Sequence, residues 1–512
     1  MSPRTVGAVL RQRVEVDPDA VFLICDEERL TYGELQRRSA EAAKALLAAG
    51  AGHGTHVALL MPNGADFAVA AVAIMRIGAV AVPLSTLSSV AELRTLVDGS
   101  DTRLLLAARS VRGRAFDELL GAAVGEPPSV LAPALQRTVF TDEVLAEAPV
   151  SDELLAAAED RVRPADPVVI VHTSGSTSAP KGVVHSHSGL LDHLVVLNDL
   201  RNYRPGEILF SNSPFFWIGG FAYTFLGTLV AGATVLCSQE GDPAKVLDLL
   251  EREQPTMCNG YAVSATALAA DPSFPGRDLS TMTRGNLYAL MPAESVPADP
   301  ALRTNMLGMT EGGSVVMTGT AAEAEADLPE HLRGSFGRPT PDLEARIVDR
   351  TTGTDVATGE RGELWLRGPA MMLGYYGRER CEAFDAEGWF HTGDLVHRDD
   401  SDHWYFHGRG DDMIKTAGAN VSPAEVRDAI LAATGLDSIA FGLPDPGKGH
   451  VVAALLLTER PAPDADVLRG LLSPLLSSYK IPKVVRSIAR TEVPLRSSGK
   501  VDMTRVKEMF GG

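Results

Sequence analysis

Between Ile208 and Gln239 the chain carries not one charged residue. A run of that length leaves water in one of two ways. It crosses a bilayer, which takes about 20 apolar residues, or it lies inside a large core. Pro214, Gly219, Gly220, Gly227 and Gly232, with Ser211, Asn212 and Ser213, break the run, and a span so interrupted would leave backbone groups unbonded in lipid. The residues therefore favour a buried core helix with its entry loop. The stretch from Phe67 to Leu84 has the same character, with Arg76 alone in its middle. Two such tracts demand a large interior, and 512 residues suffice for about three compact units.

The surrounding pattern points to an α/β chain. Residues 31–49 have apolar positions three and four apart, which predicts a helix. HVALLMP then reads as a strand, and DFAVAAVAIMRIGAVAVPL as a buried helix followed by a strand. Strands alternating with helices predict a parallel sheet covered on both faces. VRDAILAAT and DVLRGLLSPLL read as helices, and SIAFGLP and HVVAALLLT as strands.

Charge divides the chain. The whole carries a net −19, yet residues 411–512 hold 13 Lys/Arg against 12 Asp/Glu. A near-neutral tail on an acidic body predicts a domain at 1–410 and a second at 411–512. Lys480, Lys483, Arg486, Arg490, Arg496 and Lys500 cluster late in that tail, which reads either as a solvated basic face or as a surface that meets phosphate. Residues 321–329, acidic and Ala-rich, read as surface of no evident chemistry. So acidic a chain is a poor nucleic-acid binder. Cys25, Cys237, Cys258 and Cys381 lie far apart with no CxxC pair, which argues against a disulfide framework or a structural zinc site and fits a reducing compartment. Charges interrupt every apolar stretch of the first twenty residues, so no secretory signal is expected and the expected setting is cytoplasmic.

Residues 168–171, VVIV, read as a buried strand running into HTSGSTSAPKGVVHSH. This is not the GxxxxGK[ST] phosphate loop. Instead Thr173, Ser174, Ser176, Thr177 and Ser178 crowd hydroxyls around Gly175, Lys181 adds a cation, and Pro180 stiffens the exit. Hydroxyls and free backbone N–H groups bind an anionic phosphate without burying an unpaired charge.

TSGSTSAPKG is similar to the phosphate-binding signature of the adenylate-forming enzymes: acyl-CoA synthetases, nonribosomal-peptide adenylation domains and beetle luciferases. LTYGEL at 30–35, LGMTEG at 307–312, GELWLRGPAMMLGYY at 362–376, GWFHTGD at 388–394, GRGDDMIKTAGANVSPAEV at 408–426 and PLRSSGK at 494–500 resemble further segments of that family in its order. The resemblance implies a large N-terminal domain of doubly wound α/β subdomains plus a small barrel, and a smaller mobile α+β C-terminal domain. It also implies a two-step ligase. A carboxylate attacks the α-phosphate of ATP, expelling pyrophosphate, and a thiol, usually that of coenzyme A, then displaces AMP.

The same resemblance implies roles. Thr173, Ser174, Gly175, Ser176, Thr177 and Lys181 would cradle phosphate; Leu307, Gly308 and Met309 would meet the nucleotide; Thr310 would sit beside the α-phosphate. Glu311 is the candidate Mg²⁺ ligand, since Mg²⁺ takes one or two protein carboxylates and completes its octahedron with phosphate and water. Asp394 and Arg409 would read the ribose. Asp411 matches the hinge, and Lys415, Ala417 and Gly418 would face the coenzyme A channel. Lys500 would carry the first half-reaction, where an ammonium stabilises charge gathering between carboxylate and phosphate. Phe216, Trp217, Gly219 and Gly220 would form the acyl pocket. No aspartate stands near them to hold a substrate ammonium, which disfavours an amino acid and favours an apolar acid, fatty, aryl or alicyclic.

Four departures bear on pocket shape: Ser178 replaces a usual Gly, Leu307 replaces an aromatic and removes a stacking face for adenine, Trp217 takes a place often held by His, and Tyr288–Pro292 replaces a Gly-Gly-rich floor. The expected partners are a small carboxylic acid, ATP and coenzyme A, with Mg²⁺, no nucleic acid and no transmembrane segment, in a monomer or homodimer. The competing readings are an adenylate ligase that hands the acyl group to a carrier protein or an amine, and a catalytically silent acyl- or nucleotide-binding relative.

Overall fold

The computed structural model describes residues 4–124, 132–141, 143, 150–173, 180–409, 413–458, 463, 465–494 and 501–511. The fold is α/β and divides into two compact units. One comprises residues 1–86, 97–172 and 182–410; the other comprises 87–96, 173–181 and 411–512.

Two largely parallel sheets organise the first unit. The seven-stranded sheet has the order Gly374–Tyr375, Lys181–Ser186, Pro167–Thr173, Val80–Pro83, His56–Leu60, Leu104–Ala107, Arg137–Phe140. The six-stranded sheet has the order Arg284–Gly285, Met257–Asn259, Ile208–Ser211, Thr234–Cys237, Val21–Cys25, Glu28–Thr31. Helices Tyr32–Ala48 and Ala65–Arg76 stand where the periodicity places them. Thr31 and Glu34 close a capping box at the start of the first.

The charge-free run forms strand Ile208–Ser211, a π-helix Gly219–Leu226 that continues as α-helix Gly227–Ala231, and strand Thr234–Cys237. Among the described residues no helix is long and apolar enough to cross a membrane. The run is apolar because it meets the other apolar tract: the Phe67 ring centroid lies 5.4 Å from Phe215, 6.3 Å from Phe221 and 6.0 Å from Phe225. Arg76 is tolerated there because its guanidinium, 3% exposed, bonds the Glu159 carboxylate at 2.6 Å, the Ser39 hydroxyl at 2.8 Å and the Gln36 carbonyl at 3.0 Å.

Further along the first unit, a three-stranded sheet (Leu307–Met309, Ser314–Thr318, Arg338–Pro339) and a four-stranded antiparallel sheet (Glu344–Val348, Gly362–Arg367, Phe390–Arg398, Trp404–Arg409) share one apolar core that includes Val316, Leu364, Leu366 and Trp404. Residues 288–290 of the divergent floor form one turn of 3₁₀-helix.

In the second unit strands Ala419–Val421, Ile414–Thr416, Gly449–Leu457 and Ser438–Asp445 lie side by side, and Val484–Ile488 pairs parallel to Gly449–Leu457. Helix Pro423–Thr434 begins at an Ser422 cap followed by Pro423 and ends at Gly435, whose φ is 70°. Lys480 does not lie on a solvated basic face. It is 6% exposed, and its ammonium bonds Glu92 at 2.6 Å and Glu425 at 2.7 Å. Arg490 is paired with Asp437, and the Arg486 guanidinium bonds the Met509 carbonyl and lies 5.2 Å from the Phe510 ring. Of the described members of the basic cluster, Lys480, Arg486 and Arg490 hold internal partners.

Candidate active site

The LGMTEG segment is a hairpin tip. Strand Leu307–Met309 pairs antiparallel with Ser314–Thr318, and the Gly313 N–H closes the turn on the Thr310 carbonyl at 3.0 Å, with Gly313 at φ 76°. Thr310 and Glu311 thus project from a tight turn. Strand alternation sends Leu307 inward, where it is 4% exposed beside Val316 and Met317, and leaves Gly308 exposed and Met309 half-buried. The Leu307 side chain fills core.

Two elements grip this tip. Nε2 of His185 lies 2.7 Å from the Thr310 carbonyl oxygen, which only accepts, so the ring hydrogen sits on Nε2. Nδ1 of the same ring is buried with no partner among the described residues, and burial depresses the imidazole pKa to about 4. The Tyr375 hydroxyl donates to Glu311 Oε1 at 2.8 Å, and the Met372 N–H donates to the Glu311 carbonyl at 2.8 Å. Neither His185 nor Tyr375 was a sequence candidate. Their signals, HSH at 185–187 and GYY at 374–376, lie inside segments already notable for other residues.

Asp394 and Arg409 stand directly opposite one another on the neighbouring strands Phe390–Arg398 and Trp404–Arg409. Asp394 is 6% exposed, and its N–H is held by Thr392 Oγ1 at 3.0 Å. The bulge that brings Gly408 opposite Leu395, after Phe406 opposite Val396, sets this register.

The acyl-pocket candidates follow strand Ile208–Ser211 at its carboxyl end, the edge of a parallel sheet where ligands bind. Trp217 is half-buried, its ring edge-on to Phe216 at 5.3 Å and to Tyr261 at 5.5 Å. The loop is pinned by Asn63, whose Oδ1 accepts from the Phe215 N–H and whose Nδ2 donates to the Ser213 carbonyl, both at 2.8 Å. A Cβ on Gly220 would stand 1.9 Å from the Pro214 carbonyl oxygen, whereas one on Gly219 would meet open space. Gly220 thus permits the backbone to fold back, and Gly219 leaves room. Across the strand ends, Asn212 Nδ2 donates to the Tyr261 carbonyl at 3.0 Å and to Ser264 Oγ at 2.6 Å.

Thr173 ends strand Pro167–Thr173 and Lys181 begins strand Lys181–Ser186, its neighbour in the seven-stranded sheet. Lys415 lies in strand Ile414–Thr416 opposite Asn420, and Ala417 and Gly418 form the turn to Ala419–Val421. Ala417 and Gly418 take φ of 48° and 85°, and the Ala417 N–H bonds the Lys448 carbonyl at 2.9 Å. Ser174, Gly175, Ser176, Thr177, Ser178, Asp411 and Lys500 lie outside the described residues, as does the side chain of Arg409.

The AMP-binding enzyme family model matches residues 10–376. This chain belongs to that family, within the adenylate-forming superfamily. The AMP-binding enzyme is 30% identical to a feruloyl-CoA synthase of Amycolatopsis sp over 100% of both chains. It is 28% identical to a 3-hydroxybenzoate–CoA ligase of Aromatoleum sp., covering 99% of this chain and 96% of that one. Among solved structures it is similar to the amide bond synthetase McbA from Marinactinospora thermotolerans, with a TM-score of 0.80 at 24% identity over 98% and 99% of the two chains. That last likeness is one of fold. By class the AMP-binding enzyme is an acid–thiol ligase of the AMP-forming type.

The resemblance implies Mg²⁺ with the nucleotide, and Glu311 offers the kind of donor that ion takes. Among the described residues no cluster of three or more His, Cys, Asp or Glu side chains forms a closed metal cage. Glu311 offers a single hard carboxylate whose Oε2 accepts no hydrogen bond from the described residues. One protein carboxylate, completed by phosphate oxygens and water, is what Mg²⁺ takes in nucleotide sites.

Proposed function

We propose that this enzyme joins an apolar aromatic carboxylic acid to coenzyme A through an acyl-adenylate. The observation that carries the acid class is the half-buried Trp217 edge-on to Phe216 and Tyr261, beside the open Gly219, in a segment without one charge. Aromatic rings favour edge-to-face neighbours, and a charge-free wall would leave a substrate ammonium unpaired. The feruloyl and 3-hydroxybenzoate substrates named for its relatives agree with this class.

In this reading a substrate carboxylate oxygen attacks the α-phosphorus of ATP. The bond to the bridging oxygen breaks and pyrophosphate leaves. The coenzyme A sulfur, having given up its proton, then attacks the acyl carbonyl, and AMP departs with the electron pair of the broken C–O bond. Lys500 supplies the cation that stabilises the first transition state. Thr173, Ser174, Gly175, Ser176, Thr177 and Lys181 bind the phosphates. Thr310 faces the α-phosphate, Gly308, Met309 and the Leu307 backbone border the nucleotide, and Asp394 with Arg409 hold the ribose hydroxyls. Glu311 holds Mg²⁺, which when bound neutralises phosphate charge. Residues 411–512 act as the moving lid, turning at Asp411, with Lys415, Ala417 and Gly418 lining the thiol channel. The free cysteines fit a cytoplasmic setting.

The test is pyrophosphate release across benzoate, ferulate, octanoate and a long-chain acid, with and without coenzyme A. Aryl acids are expected to give the highest kcat/KM, and thioester should appear only with coenzyme A. Release without thioester would overturn the acceptor, and preference for the long-chain acid would overturn the acid class. Lys500→Ala is expected to slow carboxylate-dependent pyrophosphate release by about 10²–10⁴ while sparing thioester formation from preformed adenylate. Wild-type release by that variant would remove Lys500 from the chemistry.

A further inference from the structure

Glu311 is not left to rotate. Its backbone is tied by the Met372 N–H at 2.8 Å, and its Oε1 by the Tyr375 hydroxyl at 2.8 Å. Tyr375 is itself fixed: it is 9% exposed, pairs with Val183 across the seven-stranded sheet, and is followed by the Tyr376 N–H bonding the Gly182 carbonyl at 2.7 Å. His185, two residues beyond Val183 on the same strand, holds the Thr310 carbonyl at 2.7 Å. One strand and its two-residue neighbour therefore set both the backbone before the carboxylate and one of its oxygens, and Oε2 stays unbonded among the described residues.

We propose that Tyr375 is a positioning residue that holds Glu311 as a one-oxygen ligand and so tunes the site to Mg²⁺ over a larger divalent cation such as Ca²⁺; this rests on Glu311 being the metal ligand. The physical ground is the bite of a carboxylate. Mg²⁺ demands near-ideal octahedral geometry at roughly 2.1 Å and suits one oxygen, while Ca²⁺ sits at about 2.4 Å and accepts both. The phenolic hydrogen occupies a lone pair of Oε1 and fixes the carboxylate plane, which disfavours two-oxygen binding. Groups that orient a metal ligand commonly account for about tenfold or more in affinity when removed.

The experiment uses the full chain and measures ATP affinity by calorimetric titration in Mg²⁺ and in Ca²⁺, alongside KM for ATP and kcat. For Tyr375→Phe, ATP affinity in Mg²⁺ is expected to fall about tenfold while affinity in Ca²⁺ holds or rises, and KM is expected to change more than kcat. Glu311→Asp, whose shorter side chain withdraws from the phenol, is expected to compress the Mg²⁺-to-Ca²⁺ ratio likewise and serves if the first variant does not fold. A ratio within twofold of wild type in either folded variant, or an equal fall in both ions, would overturn the positioning role. Glu311→Gln separates the two levels. If it leaves the Mg²⁺ dependence of ATP binding intact, the metal assignment itself fails. If it abolishes that dependence while Tyr375→Phe keeps the ratio, only the tuning fails.

Discussion

The proposed nucleotide side and the proposed acyl side of this enzyme are built by different means. Thr310 and Glu311 sit on a turn gripped by polar bonds from His185, Tyr375 and the Met372 backbone. Trp217 instead leans on aromatic edges, and Asn63 pins the loop that carries it. Directional bonds fix one geometry, whereas ring contacts tolerate repacking. The contrast suits a ligase whose nucleotide is constant and whose acid is the variable partner.

Removing the Asn63 clamp of the acyl side is the most direct way to break this contrast. Asn63→Leu leaves the Phe215 N–H and the Ser213 carbonyl without their side-chain partner, and is expected to cost about 2–4 kcal/mol in denaturant unfolding. It should raise KM for the acid more than KM for ATP. If both constants rise equally, the two sides are not independently supported.

Acid tests the nucleotide side next. Burial depresses His185, which holds the Thr310 carbonyl, and His187, which accepts from the Val6 N–H, to about 4, from about 6.5 in the unfolded chain. Below pH 6.5 the unfolded chain takes up protons that the native rings refuse. Stability is therefore greatest above that pH and falls as pH drops toward 4. At pH 5 each ring is expected to account for on the order of 2 kcal/mol. Equal unfolding free energies at pH 7 and pH 5 would show the rings to be solvated.

The smallest effect sharpens the comparison from the acyl side. Trp217→Ala is expected to shift the kcat/KM ratio of benzoate to octanoate by about tenfold, as pocket volume alone allows, with KM for ATP unchanged. An unaltered ratio would remove Trp217 from the pocket.

What the sequence made legible follows from reach. The charge-free run announced a buried tract because apolarity is local, whereas the turn at Thr310–Gly313, with Gly313 at φ 76°, is a finding of the structure. Tyr375 stayed hidden because its target lies 64 residues away, and no periodicity links a phenol to a distant carboxylate. Lys480 misled for the same reason. Its neighbours in sequence are basic, while Glu92 is 388 residues off. Arg76 was visibly out of place, but nothing in its surroundings named Glu159.

The makeup of the second unit has a practical consequence for dissection. Helix Val90–Gly99 begins with Ser89 and Glu92 capping each other, the Ser89 N–H bonding Glu92 Oε2 at 2.7 Å, and that same carboxylate meets Ser477 and Lys480. A fragment excised at residue 411 would leave this acid behind. Its lone ammonium would keep Glu425 alone, and the contacts of Glu92 with Ser477 and Lys480 would open to water. Anyone expressing the tail by itself should expect aggregation or a molten product, and would do better to graft the short helix back than to lengthen the linker.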